Sequence, residues 1–476
     1  MSQDVEQTID LNADAPVSPG VFAARSARPP GPRRVLPYFG YTNALLANPM
    51  RFWSRIANTY GGIACVPLKG EDVYLVSDPE LLYELLVTKR HKYRKNLRYR
   101  AAVELFGAGL LLTEGEAWKR QRLASQPAFK PDYVAGQVDW MSDIVERMLA
   151  RWRGPAERGA SIDVDAEFLR LAQTLAGRYL MGEPFMAIAE RFCDAALAVK
   201  SAWPKPPRSL FQAWARRGRA FSPVLAGAIR ELDACIYGYL EAQRRSGFAD
   251  AGVVSLLVAA SRARNEEPDD RSLRDQLVTL FYAGHETSAV SMSWTQYLLS
   301  KHAEARARLQ REVRHTLGDR APTAACVDAL AYTEQIVNES LRLYSPIHSI
   351  SRVALEDDTI GGYAVPAGTT IYVSLYATHR LARFWPEPER FDPERFTPGR
   401  NAERPRFAFI PFAAGHRNCI GGTAAMTELK LVLALVARRY ALELEPGQRV
   451  EAAPGTTMHP RYGLRMRARP VTWPDA

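Results

Sequence analysis

Phe412-Ala413-Ala414-Gly415-His416-Arg417-Asn418-Cys419-Ile420-Gly421 is the stretch on which the reading of this chain turns. It sets one cysteine in a glycine-bounded loop, with an arginine two positions before it and a phenylalanine seven before it. The apolar segment from Ala424 to about Val436 that follows predicts a buried helix. A thiolate held there lies near backbone N–H groups and the positive end of a helix dipole, which stabilise its charge. A lone cysteine is more often inert and buried. The loop around Cys419, rather than the cysteine alone, therefore carries the signal.

The other cysteines, Cys65, Cys193, Cys235 and Cys326, are scattered and show no CxxC spacing. That argues against a disulfide framework, a zinc site or an iron–sulfur cluster, and suits a reducing compartment. The chain of 476 residues is 47% apolar, enough for a large core. Its net charge of +10 is spread along the sequence without a nucleic-acid motif, so an acidic protein partner is the better reading. The first residues, to about Ala27, are polar or small and read as a disordered tail rather than a signal peptide or anchor. No other window offers the ~20 apolar residues of a membrane span, so a soluble cytoplasmic protein, most simply a monomer, is expected.

After the tail, one large domain is expected from residue 28 to residue 476, opened by the proline-rich lead-in Arg28 to Pro37. A short helix from Arg51 gives way to alternating strands, with Gly61-Gly62 marking a turn. From Trp118 to about Glu266 the pattern is mostly helical, broken at Trp203-Pro204-Lys205-Pro206-Pro207-Arg208. A long helix is expected from an N-cap near Asp269 to about Ser300, and another from Asp328 to Tyr344. Strand-like alternation follows from Val353 to Leu375.

The middle of the long helix reads Ala283-Gly284-His285-Glu286-Thr287-Ser288. Glycine inside a helix costs roughly 1 kcal/mol against alanine, so a close approach at Gly284 is expected. A helical threonine usually bonds back to the carbonyl four residues earlier, here Ala283. Were the helix to open at Gly284, that hydroxyl would point into a cavity, beside an acid able to pass protons. Glu339 and Arg342 share one helix face and can pair. Trp118 and Arg122, one turn apart, can face one edge. His285 reads as solvent-facing or as part of a proton path.

Together these motifs resemble the cytochrome P-450 family, the haem-thiolate monooxygenases, over roughly Pro29 to Arg467. The resemblance implies a mainly α fold with a minor β-sheet region in a single large P-450-like domain. It implies haem b (iron protoporphyrin IX) with Cys419 as axial iron ligand, in a loop that includes Phe412 and Gly415. Trp118, Arg122, Arg352 and Arg417 match positions that bind the haem propionates. Thr287 would hydrogen-bond the dioxygen and Glu286 would feed protons, while Glu339, Arg342 and Arg395 would form a structural cluster that locks the cysteine loop. By analogy Phe106, Leu110, Phe281, Ala283, Ile347, His348, Ile350 and Thr457 would line the substrate pocket.

The activity implied is insertion of one oxygen atom from O2 into a lipophilic small molecule, such as a terpenoid, polyketide, fatty acid or steroid. No flavin or nicotinamide site is read, so electrons would come from a ferredoxin or flavodoxin with its NAD(P)H reductase. Ring formation or coupling by the same oxidant, a peroxide-driven enzyme, and a haem-binding protein without turnover are the alternatives. The Glu286-Thr287 pair weighs against the last two. The chain departs from the family pattern at Tyr344-Ser345-Pro346, where a second proline is common, and after Gly421, where a phenylalanine is.

Overall fold

The computed structural model describes residues 27–33, 41–96, 100–204, 207, 209, 212 and 222–472. The expected disordered tail lies outside these residues except for Ala27, as does much of the loop after Trp203. The longer helices are α1 (Pro49–Tyr60), α2 (Gly115–Ser125), α3 (Val138–Glu157), α4 (Val164–Met181), α5 (Ala189–Ala202), α6 (Pro223–Arg245), α7 (Asp270–Lys301), α8 (Ala303–Leu317), α9 (Ala331–Leu343) and α10 (Gly422–Arg439). The strands are β1 (Ile63–Leu68), β2 (Glu71–Val76), β3 (Tyr93–Lys95), β4 (Ser161–Asp163), β5 (Ile350–Ala354), β6 (Asp358–Ile360), β7 (Tyr363–Val365), β8 (Thr370–Val373), β9 (Tyr440–Leu444), β10 (Ala452–Ala453), β11 (His459–Pro460) and β12 (Arg465–Pro470). The fold is mainly helical with small sheets, as the sequence led us to expect. Among the described residues no helix is long and apolar enough to cross a membrane.

Local chemistry explains most boundaries. Pro49 opens α1 behind Asn48, whose side chain accepts the N–H of Arg51. Gly61, at φ +87, closes the helix and turns the chain into β1. The proline-rich lead-in lies along that strand, with Pro30 O accepting the N–H of Cys65 at 2.8 Å. A side chain at Gly31 would collide with Cys65 O, so only glycine allows this approach.

The main sheet runs in the order β1-β2-β8-β5-β3. All of β1 is buried, not every second residue as in a half-exposed strand. The reason is a second cover: Ile63 and Cys65 enter one apolar cluster, while Ala64, Val66 and Leu68 enter another beneath α1. A separate sheet in the order β4-β12-β9 ties the C-terminal region to the start of α4.

Helix α7 runs through the helical layer against α4, α9 and α10. Asp269 is its N-cap and accepts the N–H of Ser272 at 2.8 Å. Its 32 residues span about 48 Å at the usual rise, long enough to traverse the domain. Most of its length is buried, with Ala283 and Gly284 left exposed. The helix after the cysteine loop, α10, is likewise buried from Leu429 to Ala437.

Candidate functional site

The loop before α10 is built to hold Cys419 in one place. Ala413 and Gly415 both take left-handed backbone angles, φ +55 and +75. At Gly415 a Cβ would stand 2.0 Å from Leu86 O, so glycine is obligatory. The N–H of Cys419 donates to Phe412 O at 2.9 Å, closing the loop on itself. Cys419 keeps accessible surface within this loop. Desolvation by the neighbouring chain pushes its thiol up, opposed by the N–H of Gly421 and by Arg122. The peptide dipoles expected to stabilise the thiolate are present but do not outweigh desolvation. A bound metal cation would supply the missing stabilisation, because it deprotonates a coordinating thiol outright.

A dense group of cations stands beside this loop. Arg417 donates to Thr113 O at 2.8 Å and pairs with Glu114. Its Nε and Nη1 are buried without a partner. Arg122 donates to Asn418 O at 2.8 Å and to Asn418 Oδ1 at 3.1 Å, so it braces the backbone next to the cysteine. Trp118 lies under the Arg417 guanidinium, 4.1 Å from ring centroid to Cζ, and edge-on to His416. Arg352 is buried on β5 and donates to Ser351 O at 2.9 Å.

Sequence reading missed Lys95, which faces Arg352 across the β3–β5 pair. Like charges directly opposite in a sheet are destabilising. Burial, then Arg417, push Lys95 down to about 7. Burial lowers Arg352 to about 10, with Arg417 adding to it, and His416 falls to about 4 for the same reasons. Glu114 is the only carboxylate acting on these groups among the described residues. Unmatched positive charge and orphaned guanidinium N–H groups beside a reachable thiol are what a planar group with two carboxylates and a central metal would satisfy. The residues present fit a haem. Lys95 and Glu114 escaped notice because their role depends on strand pairing far along the chain.

Helix α7, which meets α10 through Ser288 and Glu428, is unbroken at Gly284. Thr287 Oγ1 donates to Ala283 O at 2.9 Å and approaches Gly284 O at 3.3 Å, so its hydroxyl is held within the helix. Gly284 makes no close protein contact, since an added Cβ would meet Ala176 at an ordinary 3.9 Å. Glu286 turns away from Thr287. It accepts from Thr457 Oγ1 at 3.2 Å and pairs with Lys200 of α5 at 3.5 Å.

His285 is not solvent-facing: it is 1% exposed. Its Nδ1 bonds Phe281 O at 2.8 Å, and burial lowers it to about 3, so it stays neutral. Phe281, expected on the pocket wall, is buried in edge contact with Phe192 at 4.8 Å. Phe192 of α5 covers that face of α7, and periodicity alone does not reveal the covering partner.

The remaining expected pocket residues are spread over several elements. Phe106 meets Tyr282 and Trp203 at centroid distances of 5.9 and 6.4 Å, and Leu110 is buried nearby. Ile347, His348 and Ile350 are half-buried, while Thr457 is buried against Glu286. His348 Nδ1 is engaged locally, 3.0 Å from Ser349 Oγ. Tyr344, at the departure from the family pattern, stacks on Trp294 with centroids 4.0 Å apart.

Glu339, Arg342 and Arg395 lie together. Arg342 makes a two-pronged contact with Glu339 at 2.7 and 2.8 Å, and neither side chain is exposed. It also donates to His379 O, Pro388 O and Arg390 O. Arg395 is the looser member, 3.5 Å from Glu339, and it donates to Glu387 O.

A further acid on α10, Glu428, was also missed. It accepts from Ser288 Oγ at 3.0 Å, and its Oε1 has no partner. Burial pushes it up to about 8, so it holds a proton at neutral pH beside Thr287's neighbour. The available signal was an acid within an apolar helix. Because the native state keeps this proton and the unfolded chain releases it near 4.5, stability should fall as pH rises from about 4.5 to 8. Glu428→Gln should remove that slope and gain on the order of 3 kcal/mol over the parent above pH 8. Urea midpoints at pH 5 and pH 9 test this; parallel curves would show that Glu428 ionises freely.

Residues 29–466 match the family model described as Cytochrome P450. The chain is 31% identical over 454 residues to the cyclooctat-9-en-7-ol 5-monooxygenase of Streptomyces melanosporofaciens, covering 91% of this chain and 94% of that protein. It is 31% identical over 467 residues to the cyclooctatin synthase of the same organism, covering 94% and 98%. It is 30% identical over 409 residues to a putative cytochrome P450 132 of Mycobacterium tuberculosis, covering 83% and 87%. The crystal structure of the cytochrome P450DA heme domain superposes with a TM-score of 0.81 at 24% identity, covering 94% of this chain and 99% of that one.

Proposed function

The chain belongs to the cytochrome P450 family, and from that premise we propose that it is a monooxygenase inserting one oxygen atom from O2 into a lipophilic small molecule. The observation that carries the reading is the joint placement of Cys419 and the cations Lys95, Arg352 and Arg417, which outnumber their carboxylate Glu114. Cys419 would ligate the iron of haem b, with Trp118, Arg122 and these cations at its propionates. Haem held by a thiolate supplies oxygen activation, since the sulfur donates electron density that favours O–O cleavage.

The chain's own residues then hold substrate, exclude water and move protons. Thr287 Oγ1, now bonded to Ala283 O, would turn toward the cavity side of α7 and hand on its proton. Glu286 would resupply it, once Oε1 is released from Thr457 and Lys200. Phe106, Leu110, Ala283, Ile347 and Ile350 offer apolar surface to the substrate. The relative named for a cyclooctat-9-en-7-ol, an unsaturated alcohol, supports a lipophilic substrate class, with terpenoid, polyketide, fatty acid and steroid all within it.

Electrons would come from a separate ferredoxin or flavodoxin with its NAD(P)H reductase, in the cytoplasm. Lys119 and Arg120 are exposed on α2, the helix whose Arg122 braces the cysteine loop, and offer positive charge to an acidic partner. Thr287→Ala should leave haem binding intact and lower product formed per electron pair about a hundredfold, the lower end of what a lost acid–base group costs. Parallel measurement of NADH consumption and product checks it. If peroxide alone sustained turnover equal to the partner-driven rate, a reductant-fed proton relay would be excluded.

A further inference from the structure

The short helix Arg100–Phe106 and the loop that leads from it to Leu110 are fastened to α7 by a buried ionic cluster. Asp275 Oδ2 accepts the N–H of Ala108 at 2.8 Å, and its Oδ1 accepts from Arg274 at 2.9 Å. Arg274 donates in addition to Leu105 O and to Asp233 Oδ1 of α6, both at 2.7 Å. The two residues are 5% and 4% exposed. From the opposite side, Gln121 of α2 donates to Ala108 O at 2.7 Å and accepts from Thr113 Oγ1 at 2.8 Å.

The backbone is pressed onto α7 as closely as covalent geometry permits. A Cβ on Gly107, which has φ +51, would stand 2.1 Å from Asp275 Oδ2. One on Gly109 would stand 1.9 Å from Thr279 Oγ1. Only glycine fits at either place. Loops usually run over the surface with solvent completing their hydrogen bonds. Here the N–H and C=O of Ala108 and the carbonyl of Leu105 are all bound by side chains of two helices.

Buried charges are a poor source of net stability, and their best-attested use is to fix one arrangement among several. We propose that Arg274 and Asp275 are positioning residues that set shape selectivity: they hold Phe106 and Leu110 as an unyielding wall of the substrate pocket. Through Asp233 the same cluster ties that wall to α6. This inference rests on the reading that the pocket beside Cys419 holds haem and substrate.

The test uses the haem-loaded protein and a series of 1-alkylimidazoles of increasing chain length, read by the Soret shift on binding. The parent should discriminate steeply among chain lengths. In Asp275→Ala the spread of Kd across the series should collapse about tenfold, the scale set by one or two methylenes against a fixed wall. Hydrogen exchange at the Leu105–Leu110 amides should rise in parallel. Gly109→Ala, which pushes the loop off Thr279 without altering charge, should do the same. Unchanged discrimination in both variants overturns the proposal. So does loss of the reduced carbon-monoxide band in both, which would make the cluster a support of the whole domain. Absence of that band in the parent would instead sink the haem reading itself.

Discussion

Cys419→Ser should yield a protein whose reduced, carbon-monoxide-treated spectrum lacks the strongly red-shifted Soret band of the parent. Turnover should fall by more than ~100-fold, equivalent to about 2.7 kcal/mol of barrier. The substitution is nearly isosteric, and the N–H bond from position 419 to Phe412 O does not involve the side chain. The left-handed turn at Ala413 and Gly415 is independent of it as well. The loop should therefore keep its shape, and the loss should be electronic. A serine hydroxyl does not ionise at this site, so it delivers no anionic sulfur and no electron push toward oxygen. Arg122 and the N–H of Gly421 would face a neutral group. A band that survives the change would show that another residue holds the iron, and the functional reading would fall with it.

Glu339→Ala should be the most damaging substitution outside the cysteine loop. It strands Arg342, whose side chain is wholly buried, with three carbonyl acceptors and no anion. Breaking a buried pair in this way costs about 3–5 kcal/mol. Most domains have only about 5–15 kcal/mol in all. Arg342 also gathers the carbonyls of His379, Pro388 and Arg390, so the strain reaches the irregular chain that leads to the cysteine loop. We expect Glu339→Ala to accumulate with little haem and a urea midpoint lowered accordingly. Arg342→Lys should fare little better, because an ammonium cannot reproduce the two-pronged contact or reach all three carbonyls. The haem-to-protein ratio and denaturation curves decide the matter. Full haem content with a loss under about 1 kcal/mol would assign the cluster the modest value of a surface pair.

What could be read from sequence was what short-range chemistry determines. Asp269 before an apolar-periodic run marked the start of α7, and the bond to Ser272 N–H is the reason. Glu339 and Arg342 had to share a face, and Gly415 had to be glycine once Leu86 O lay against it, although only the fold identifies Leu86. What escaped was set by partners distant in the chain. Lys95 gained its meaning from Arg352 opposite it, and Phe281 from Phe192 of α5, with His285 packed against Phe281 in turn. Glu428 was hidden in a helix that reads as plain core. Helix α7 does not open at Gly284, and Thr287 bonds back to Ala283 O as a helical threonine usually does.

The pairing of Lys95 with Arg352 has a consequence for the life of the polypeptide before it matures. β3 is a three-residue edge strand, and its last residue repels its neighbour until an anion arrives. A short, self-repelling edge is the place where a newly made chain frays, and frayed edges are where proteases and other chains take hold. Scarcity of iron or porphyrin would then shorten the half-life of the protein as well as lower its activity. Pulse-chase decay in haem-starved cells would measure this, and Lys95→Gln should slow that decay if the repulsion is its cause.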